Sequence, residues 1–164
     1  MNKGFTIIEM IVIIGILSLL SAILVVYIRA GENQIILFKE QAKIIGILSR
    51  AKSLGISTFG RAGVPCGYGV HFETSGSFLI FKDLSGDCSD SDQKYSGSDE
   101  FYESFQLNPA VKFDTLTLSD VLFIPPDPSI VITPAQDEAT IIIKPVGAES
   151  SAAIKINSAG QISI

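Results

Sequence analysis

The chain has 164 residues, of which 47% are hydrophobic and 18% are charged, and its formal net charge is -5. This hydrophobic content excludes a disordered protein, and the concentration of apolar residues at one end excludes a protein with several membrane spans. A mean hydropathy of +0.43 is high for a soluble domain of this length, so we expect part of the chain to lie in a membrane.

The first predicted element is an apolar helix over residues 5–28, in which Glu9 is the only charge. A helix of that length is about 36 Å long at roughly 1.5 Å per residue, which exceeds the bilayer core of about 30 Å. A cleaved secretory signal fits less well, because the apolar run is longer than usual and its small-residue site near Ser21 lies inside the run. We therefore predict a single-pass membrane helix.

Glu9 is the residue in this helix that most needs an explanation. An ionised carboxylate near the centre of a membrane helix costs about 2.5 to 3.5 kcal/mol, and less near the end, so it usually has a partner. A local explanation is the capping box, because Thr6 and Glu9 have the required spacing and Glu9 would then bind the first backbone N–H groups.

Residues 29–60 are predicted to continue as an amphipathic helix, since no proline occurs before Pro65. At 100° per residue, one face is apolar and another is basic, and the apolar face requires a β-sheet of the same chain as its partner. The apolar face comprises Leu37, Ile44, Leu48 and Ala51, widened by Ile36, Ile47 and Leu54, and the basic row comprises Lys39, Lys43 and Arg50.

The charge is distributed unevenly along the chain. Residues 1–28 have a net charge of 0, residues 29–60 of +3 and residues 61–164 of -8. A basic segment next to an apolar span suits a membrane surface, whereas the acidic distal part argues against nucleic acid as a ligand. No nucleic-acid partner is therefore expected.

Residues 61–164 are predicted to form a β-rich globular head. A change from helical to alternating periodicity begins at Tyr68, and a turn at residues 74–77 predicts a β-hairpin. Short antiparallel strands packed against the amphipathic helix give an α+β fold. The predicted strands are residues 68–73, 78–82, 103–107, 111–113, 121–124, 130–133, 139–144, 153–157 and 161–164.

The two cysteines, Cys66 and Cys88, both follow the apolar span. An even pair in a turn-rich segment fits a disulfide in an oxidising compartment. Closing a loop of about 22 residues would stabilise the head by roughly 3 kcal/mol on the chain-entropy estimate. Two unpaired buried thiols are the alternative interpretation.

The segment after the first hairpin is strongly acidic and raises the possibility of calcium, which prefers six to eight oxygen ligands. An EF-hand is excluded, because a loop starting at Asp83 would place Lys94 where a bidentate glutamate belongs. A solvated acidic loop attached by the disulfide is the alternative, and no other cofactor is expected. The candidate ligands are Asp83, Asp87, Asp90, Asp92 and Asp99.

An enzyme is not expected. His71 is the only histidine, and it lies next to Phe72 in a predicted strand, where a packed or surface role is the simpler explanation. The sequence contains no phosphate-binding glycine loop, no zinc-type cluster and no nucleophile motif.

The N-terminus resembles that of type IV prepilins and type II secretion pseudopilins. The resemblance rests on the basic leader MNKG at residues 1–4, then FTIIEM at residues 5–10 and the long uncharged run. It implies that a prepilin peptidase in the membrane cuts between Gly4 and Phe5 and that the new Phe5 amine is N-methylated. It further implies that the helix of residues 5–28 leaves the bilayer to join the bundled core of a filament.

This resemblance gives Glu9 a second role. The amine created by cleavage is cationic at neutral pH, so each filament subunit contributes one cation and one anion to an apolar core. An unpaired charge there would be destabilising by on the order of 3 to 5 kcal/mol, so pairing of Glu9 with a neighbour's Phe5 would fix the register. The capping box with Thr6 would hold Glu9 in the membrane-embedded monomer before assembly.

The rest of the chain resembles the H-type minor pseudopilin group, in which two β-sheets pack against the helix. The similarity lies in residues 49–56, in a cysteine before residues 68–72, and in the Ala159–Gly160 pair near the C-terminus. Many major pilins have a proline in the spanning helix, and its absence here favours a minor subunit. The expected location is the inner membrane with the head outside the cytoplasm, then a periplasmic or extracellular filament.

An alternative from a different class remains open at this stage. The chain could be a permanently anchored single-pass protein whose acidic, calcium-binding head binds a ligand or a surface. The two classes differ in what they require of Glu9, since only a filament subunit needs its charge for assembly.

Overall fold

The computed structural model describes residues 6–59, 65–126 and 130–164, without the side chains of residues 25–30. The predicted processing residues Gly4 and Phe5 therefore lie outside the described part of the chain. Contacts divide the chain into two compact units, Met1–Ile35 and Ile36–Ile164. The amphipathic helix and the β-rich part predicted as separate regions thus fall largely within one unit.

A single helix, α1, extends over Ile7–Thr58 and spans 52 residues. It confirms the prediction of one helix from the apolar segment into the amphipathic segment. Its last turn is closed by side chains, because the hydroxyls of Ser57 and Thr58 donate to the Leu54 carbonyl at 3.0 and 2.9 Å. The Thr58 hydroxyl also lies 3.2 Å from the carbonyl of Gly55, one of the last four carbonyls, which have no partner within the helix.

In the first unit, the segment Ile7–Leu24 is long and apolar enough to cross a membrane, and none of it is buried within the chain. Large apolar side chains are exposed all round the helix there, for example Ile7 at 82% and Leu19 at 64%. A helix that is apolar on every side needs an apolar surrounding, which a bilayer or a helix bundle provides.

In the second unit, α1 is buried on one face only. The apolar face predicted from the periodicity is confirmed, because its members belong to the main core together with side chains from the strands. Burying each such side chain contributes about 1.5 to 3 kcal/mol, so this face anchors the helix. The buried helix residues are Leu37, Ile44, Ile47, Leu48 and Ala51, with Ile36 and Leu54 partly buried.

Within the described residues, nine strands form two antiparallel sheets, which confirms the α+β class. The five-stranded sheet has the order β3-β2-β1-β5-β6 and the four-stranded sheet the order β4-β7-β8-β9. The first sheet consists of β1 (Gly67–Phe72), β2 (Ser77–Asp83), β3 (Phe101–Gln106), β5 (Asp120–Phe123) and β6 (Ile130–Thr133). The second consists of β4 (Val111–Leu116), β7 (Glu138–Pro145), β8 (Ala152–Asn157) and β9 (Ile162–Ser163).

Polar side chains of α1 connect the helix to both sheets. Gln41 Nε2 donates to the Ala153 carbonyl of β8 at 2.9 Å. The Arg50 guanidinium lies 2.7 Å from the Glu103 carboxylate of β3. Two residues of the basic row predicted on the helix, Lys43 and Arg50, therefore bind β3, since the Lys43 ammonium donates to the Gln106 carbonyl.

A second, smaller apolar layer lies on the other face of the five-stranded sheet. Phe81 and Leu122 are completely buried but are separate from the main core. The ring of Tyr95, from the segment between β2 and β3, packs on Phe81 with ring centroids 5.8 Å apart. This segment therefore covers the sheet face opposite to the helix.

Gly69 makes this layer possible. A Cβ atom at this position would lie 2.4 Å from the Phe81 ring and 2.7 Å from the Val121 carbonyl oxygen. Both neighbours belong to β-strands, and their side chains are fully buried. Neither can move away from an added methyl group without losing packing contacts.

We predict that Gly69→Ala destabilises the head by about 1 to 3 kcal/mol, because one extra methyl group overpacks the layer. The free energy of unfolding, followed by circular dichroism of the full chain in detergent, measures this effect. Gly86→Ala is the matched control, since nothing lies within 4 Å of the Cβ position there. Equal stability of the two variants would contradict the packing argument.

Candidate functional site

The candidate assembly site is the first turn of α1. The Thr6 backbone N–H and hydroxyl both donate to Glu9 Oε2 at 2.8 Å, and the Glu9 N–H faces Thr6 Oγ1 at 3.4 Å. The two residues thus form both halves of the capping box that the sequence predicts. The carboxylate is fixed at the positive end of the helix dipole, where a negative charge is favoured.

Glu9 is surrounded by apolar side chains that are themselves exposed. Ile8, Val12 and Ile13 are 72%, 54% and 44% exposed. Among the described residues, no cation lies within ion-pair distance of Glu9. Only Oε2 is engaged in the capping box, and Oε1 accepts no hydrogen bond from the described part of the chain.

Comparison with known families assigns a class to this N-terminus. The prokaryotic N-terminal methylation motif matches residues 1–25. That motif is typical of the prepilin-type signal of type IV pilins and pseudopilins, and it supports a pilin-like, prepilin-processed protein that is anchored in a membrane. Comparison with curated proteins and with solved structures gave no match. The match ends before the head, so it assigns the chain to no subgroup.

Cys66 and Cys88 form a disulfide, with Cα atoms 5.3 Å apart. Cys66 directly precedes β1, and its backbone N–H donates to the Asp83 carbonyl at the end of β2 at 2.9 Å. The bridge therefore ties the start of the acidic segment to the end of the first hairpin.

The structure brings together three carboxylates of the acidic segment, Asp83, Asp92 and Glu100, with oxygens within 4.8 Å of one another. Two of them belong to the calcium ligands predicted from the sequence, and Glu100 was not predicted. The other predicted ligands, Asp87, Asp90 and Asp99, are outside this group. Asp99 is exposed whereas Glu100 is 8% exposed, because the short 3-10 turn Ser98–Glu100 directs Glu100 inward.

The three carboxylates already accept hydrogen bonds from the chain. Glu100 Oε2 accepts from the Ser96 N–H at 2.7 Å, and the hydroxyls of Ser91 and Ser96 donate to Asp83 and Asp92. Burial raises the pKa of Asp83, only partly offset by the Ser91 hydrogen bond, and the charge of Asp92 raises it further. This arrangement stabilises the segment, and calcium binding stays a prediction.

The calcium prediction can be tested on the full chain in detergent. If these carboxylates bind calcium, millimolar calcium should raise the midpoint of thermal unfolding, because a ligand bound only to the folded state stabilises that state. Glu100→Gln should remove the rise, whereas Asp90→Asn, outside the group, should keep it. An unchanged midpoint and no heat in calorimetric titration would dismiss the site.

Another buried carboxylate, that of Asp120 on β5, binds the acidic segment through the backbone of Tyr95. Its Oδ1 lies 2.7 Å from His71 Nδ1 and accepts from the Tyr95 backbone N–H at 3.3 Å. The Ser119 hydroxyl donates to Oδ2 at 2.6 Å. Burial raises the pKa of the Asp120 carboxyl, but the bonds from His71 and Ser119 outweigh that effect and leave the pKa below its ordinary value.

The sequence does not predict this cluster. Asp120 and His71 are 49 residues apart, and only the pairing of β1 with β5, which puts them opposite each other, brings them together. His71 is partly buried and stacks against the Tyr95 ring at 5.1 Å. Its contacts are those of a packed residue that positions Tyr95, which agrees with the interpretation of this histidine from the sequence.

We predict that Asp120→Asn lowers the free energy of unfolding by about 1 to 3 kcal/mol at pH 7, since an acceptor of three hydrogen bonds is impaired. Because the folded-state pKa is lowered, the stabilisation is present above the ordinary value of 3.8 and is lost as the pH falls through the lowered pKa. The difference in stability between the variant and the parent, measured by denaturation curves, should therefore be constant near pH 7 and shrink as the pH is lowered below 3.8.

Asp114→Asn provides the matched control, because Asp114 is exposed and forms no ion pair within the described chain. A constant difference between Asp120→Asn and the parent over the whole pH range would contradict the assignment.

Proposed function

We propose that this chain is a minor structural subunit of a type IV pilus-like or type II secretion pseudopilus filament. It is stored in the inner membrane, processed by a prepilin peptidase between Gly4 and Phe5, and assembled with other pilin or pseudopilin subunits through α1. The observation that carries the proposal is the methylation motif at residues 1–25 together with a capped Glu9 on an otherwise apolar helix.

The capping box explains how Glu9 is tolerated before assembly. A carboxylate near the centre of a membrane helix costs about 2.5 to 3.5 kcal/mol, and the cost is lower near the helix end, where Glu9 lies. Two donors from Thr6 and the helix dipole reduce it further. The uncleaved subunit is thus held in the bilayer with its charge satisfied locally.

The same geometry supports pairing after cleavage. Oε2 is occupied by Thr6, whereas Oε1 accepts no hydrogen bond from the described residues and is open to a cation. Removal of the leader creates that cation on Phe5, one residue before the cap. A neighbour's ammonium at Oε1 would complete the coordination of the carboxylate without breaking the capping box.

The lack of a helix-breaking residue supports the minor rather than the major role. Residues 7–58 contain no proline, and α1 is described as one helix over that range. The disulfide suits an oxidising compartment, which agrees with a head outside the cytoplasm.

We predict that Glu9→Gln leaves membrane insertion intact but abolishes or misregisters assembly, because the amide cannot neutralise a neighbour's ammonium. The measurement compares filament incorporation in cells with the amount of subunit in the membrane. Glu32→Gln is the matched control, since Glu32 is also an exposed glutamate of α1 but lies beyond the apolar segment.

Mass spectrometry of the N-terminus of the parent chain completes this test. A mature chain that begins with N-methyl phenylalanine is expected. Retention of residues 1–4 in assembled material, or normal assembly of Glu9→Gln, would overturn the proposal and favour a permanently anchored protein.

A further inference from the structure

An outer strand of the five-stranded sheet, β6, pairs with β5 on one side and with no strand of the described chain on the other. The Thr133 carbonyl faces β5, because it accepts the N–H of Ser119, directly before β5, at 2.7 Å. Backbone groups of successive strand residues point to opposite sides, so those of Ile132 point away from β5. Within the described residues, the Ile132 N–H and carbonyl have no backbone hydrogen-bond partner.

The backbone of Ile130 points to the same open side. Its N–H donates to the Ser158 carbonyl, in the turn between β8 and β9, at 3.5 Å. This turn covers the first N–H of β6 and leaves the Ile130 carbonyl and both Ile132 groups along the edge. Because the side chains of both isoleucines belong to the main core, the edge presents backbone groups rather than side chains. One donor between two acceptors is the pattern that an extended polypeptide segment complements.

A surface recess of about 480 Å³ lies along this edge. It is lined by residues 130–132 of β6 and by residues 135–137 of the loop that follows. Asp137 is the one charged residue of this lining, and it forms no ion pair in the part of the chain that the structure describes. An uncharged extended segment can therefore enter the recess without burying charges of the head, and a basic residue beside that segment would meet Asp137.

The outer edges of β3 and β4 are protected against strand pairing. The register of β3 shifts where it pairs with β2, and the Lys43 ammonium donates to the Gln106 carbonyl on its outer side. The register of β4 shifts where it pairs with β7, and its exposed residues include the charged Lys112 and Asp114. Bulges, charges and covering groups are the means by which folded proteins prevent edge-to-edge pairing.

The fourth edge, at β8 and β9, is protected as well. β9 has only two residues, and the Gln41 side chain of α1 donates to the Ala153 carbonyl of β8 at 2.9 Å. The edge of β6 differs from the other three, because its sequence IVIT has no charge and no proline and its register with β5 is regular. Among the described strands, β6 is thus the one whose edge is left ready to pair.

We propose that an extended segment of a different filament subunit adds to β6 as a further strand of the five-stranded sheet. Its backbone pairs with Ile130 and Ile132, and one of its side chains enters the recess beside them. This contact deepens the proposed function and rests on it, because a minor subunit has other proteins as its neighbours.

The first test is photo-cross-linking of the full chain, expressed in cells together with its own assembly machinery. Ala135, an exposed residue of the recess lining, is replaced by benzoylphenylalanine, and the adduct in assembled material is mapped by mass spectrometry. We expect an adduct within one segment of a different pilin-like subunit, at several times the yield obtained from the same replacement at Val146. Val146 is 61% exposed and follows the opposite end of β7, about 26 Å away at roughly 3.3 Å per residue. A yield no higher than this control, or an adduct only with a copy of this chain, overturns the proposal.

A pair of substitutions tests whether the contact uses the backbone. Ile132→Pro removes the outward N–H, whereas Ile132→Ala keeps it, and both variants lose the same core side chain. Proline is tolerated on an edge strand where the N–H faces outward. In chains that carry the photoreactive group at position 135, the alanine variant should retain the adduct and the proline variant should lower its yield several-fold. Equal yields from two folded variants would rule out strand pairing.

Amide hydrogen exchange of the parent chain provides a measurement that needs no core substitution. In detergent, before assembly, the Ile132 N–H should exchange several-fold faster than those of Val131 and Thr133, which face β5. In assembled material its exchange should slow to their rate. Slow exchange of all three before assembly, or an unchanged Ile132 rate afterwards, would contradict an edge that receives a strand.

These outcomes separate this contact from the proposed function. Filaments with methylated Phe5 but without the adduct would refute strand addition at β6 and leave the proposed function standing. Chains that stay unprocessed and never assemble would refute both.

Discussion

One carboxylate on an apolar helix is the charge that the N-terminal segment has to accommodate in an apolar surrounding. Glu9 is satisfied locally through Oε2 by Thr6, so that the helix can remain in the bilayer. Its second oxygen accepts nothing from the described chain, so that the same group can take a cation from outside. In the proposed function, storage and assembly place different demands on this one side chain, and the capping geometry of the first turn of α1 is compatible with both.

The same helix has two kinds of surface, and each follows from its sequence. Exposed apolar side chains surround the segment Ile7–Leu24, whereas in the second unit the apolar residues occupy one face and are buried against both sheets. Polar residues at the borders of that face, such as Gln41 and Arg50, bind the strands directly. A substitution in the first segment therefore acts on membrane or filament contacts, and one in the buried face acts on the stability of the head.

Local features were predictable, whereas non-local ones were not. The capping box depends on a spacing of three residues, and the alternation in β7, with Ala139, Ile141 and Ile143 buried, is visible in the sequence. The division of the described strands between two sheets depends on pairings between distant segments, such as β1 with β5, for which periodicity contains no information. For the same reason the contact of Asp120 with His71 was not predicted. Glu100 rather than Asp99 joins the buried carboxylates because of a single turn whose direction the composition does not specify.

Residues 61–164 have a net charge of -8, so two such heads repel each other wherever they come close. At physiological ionic strength charges are screened beyond about 8 Å, so the total charge matters less than which charges meet at a contact. The acidic segment is fixed at three points, by the disulfide, by Tyr95 on Phe81 and by Asp120. Fixed acids lose little conformational freedom when a partner binds them, so attaching the segment holds its acids in one defined arrangement on the head.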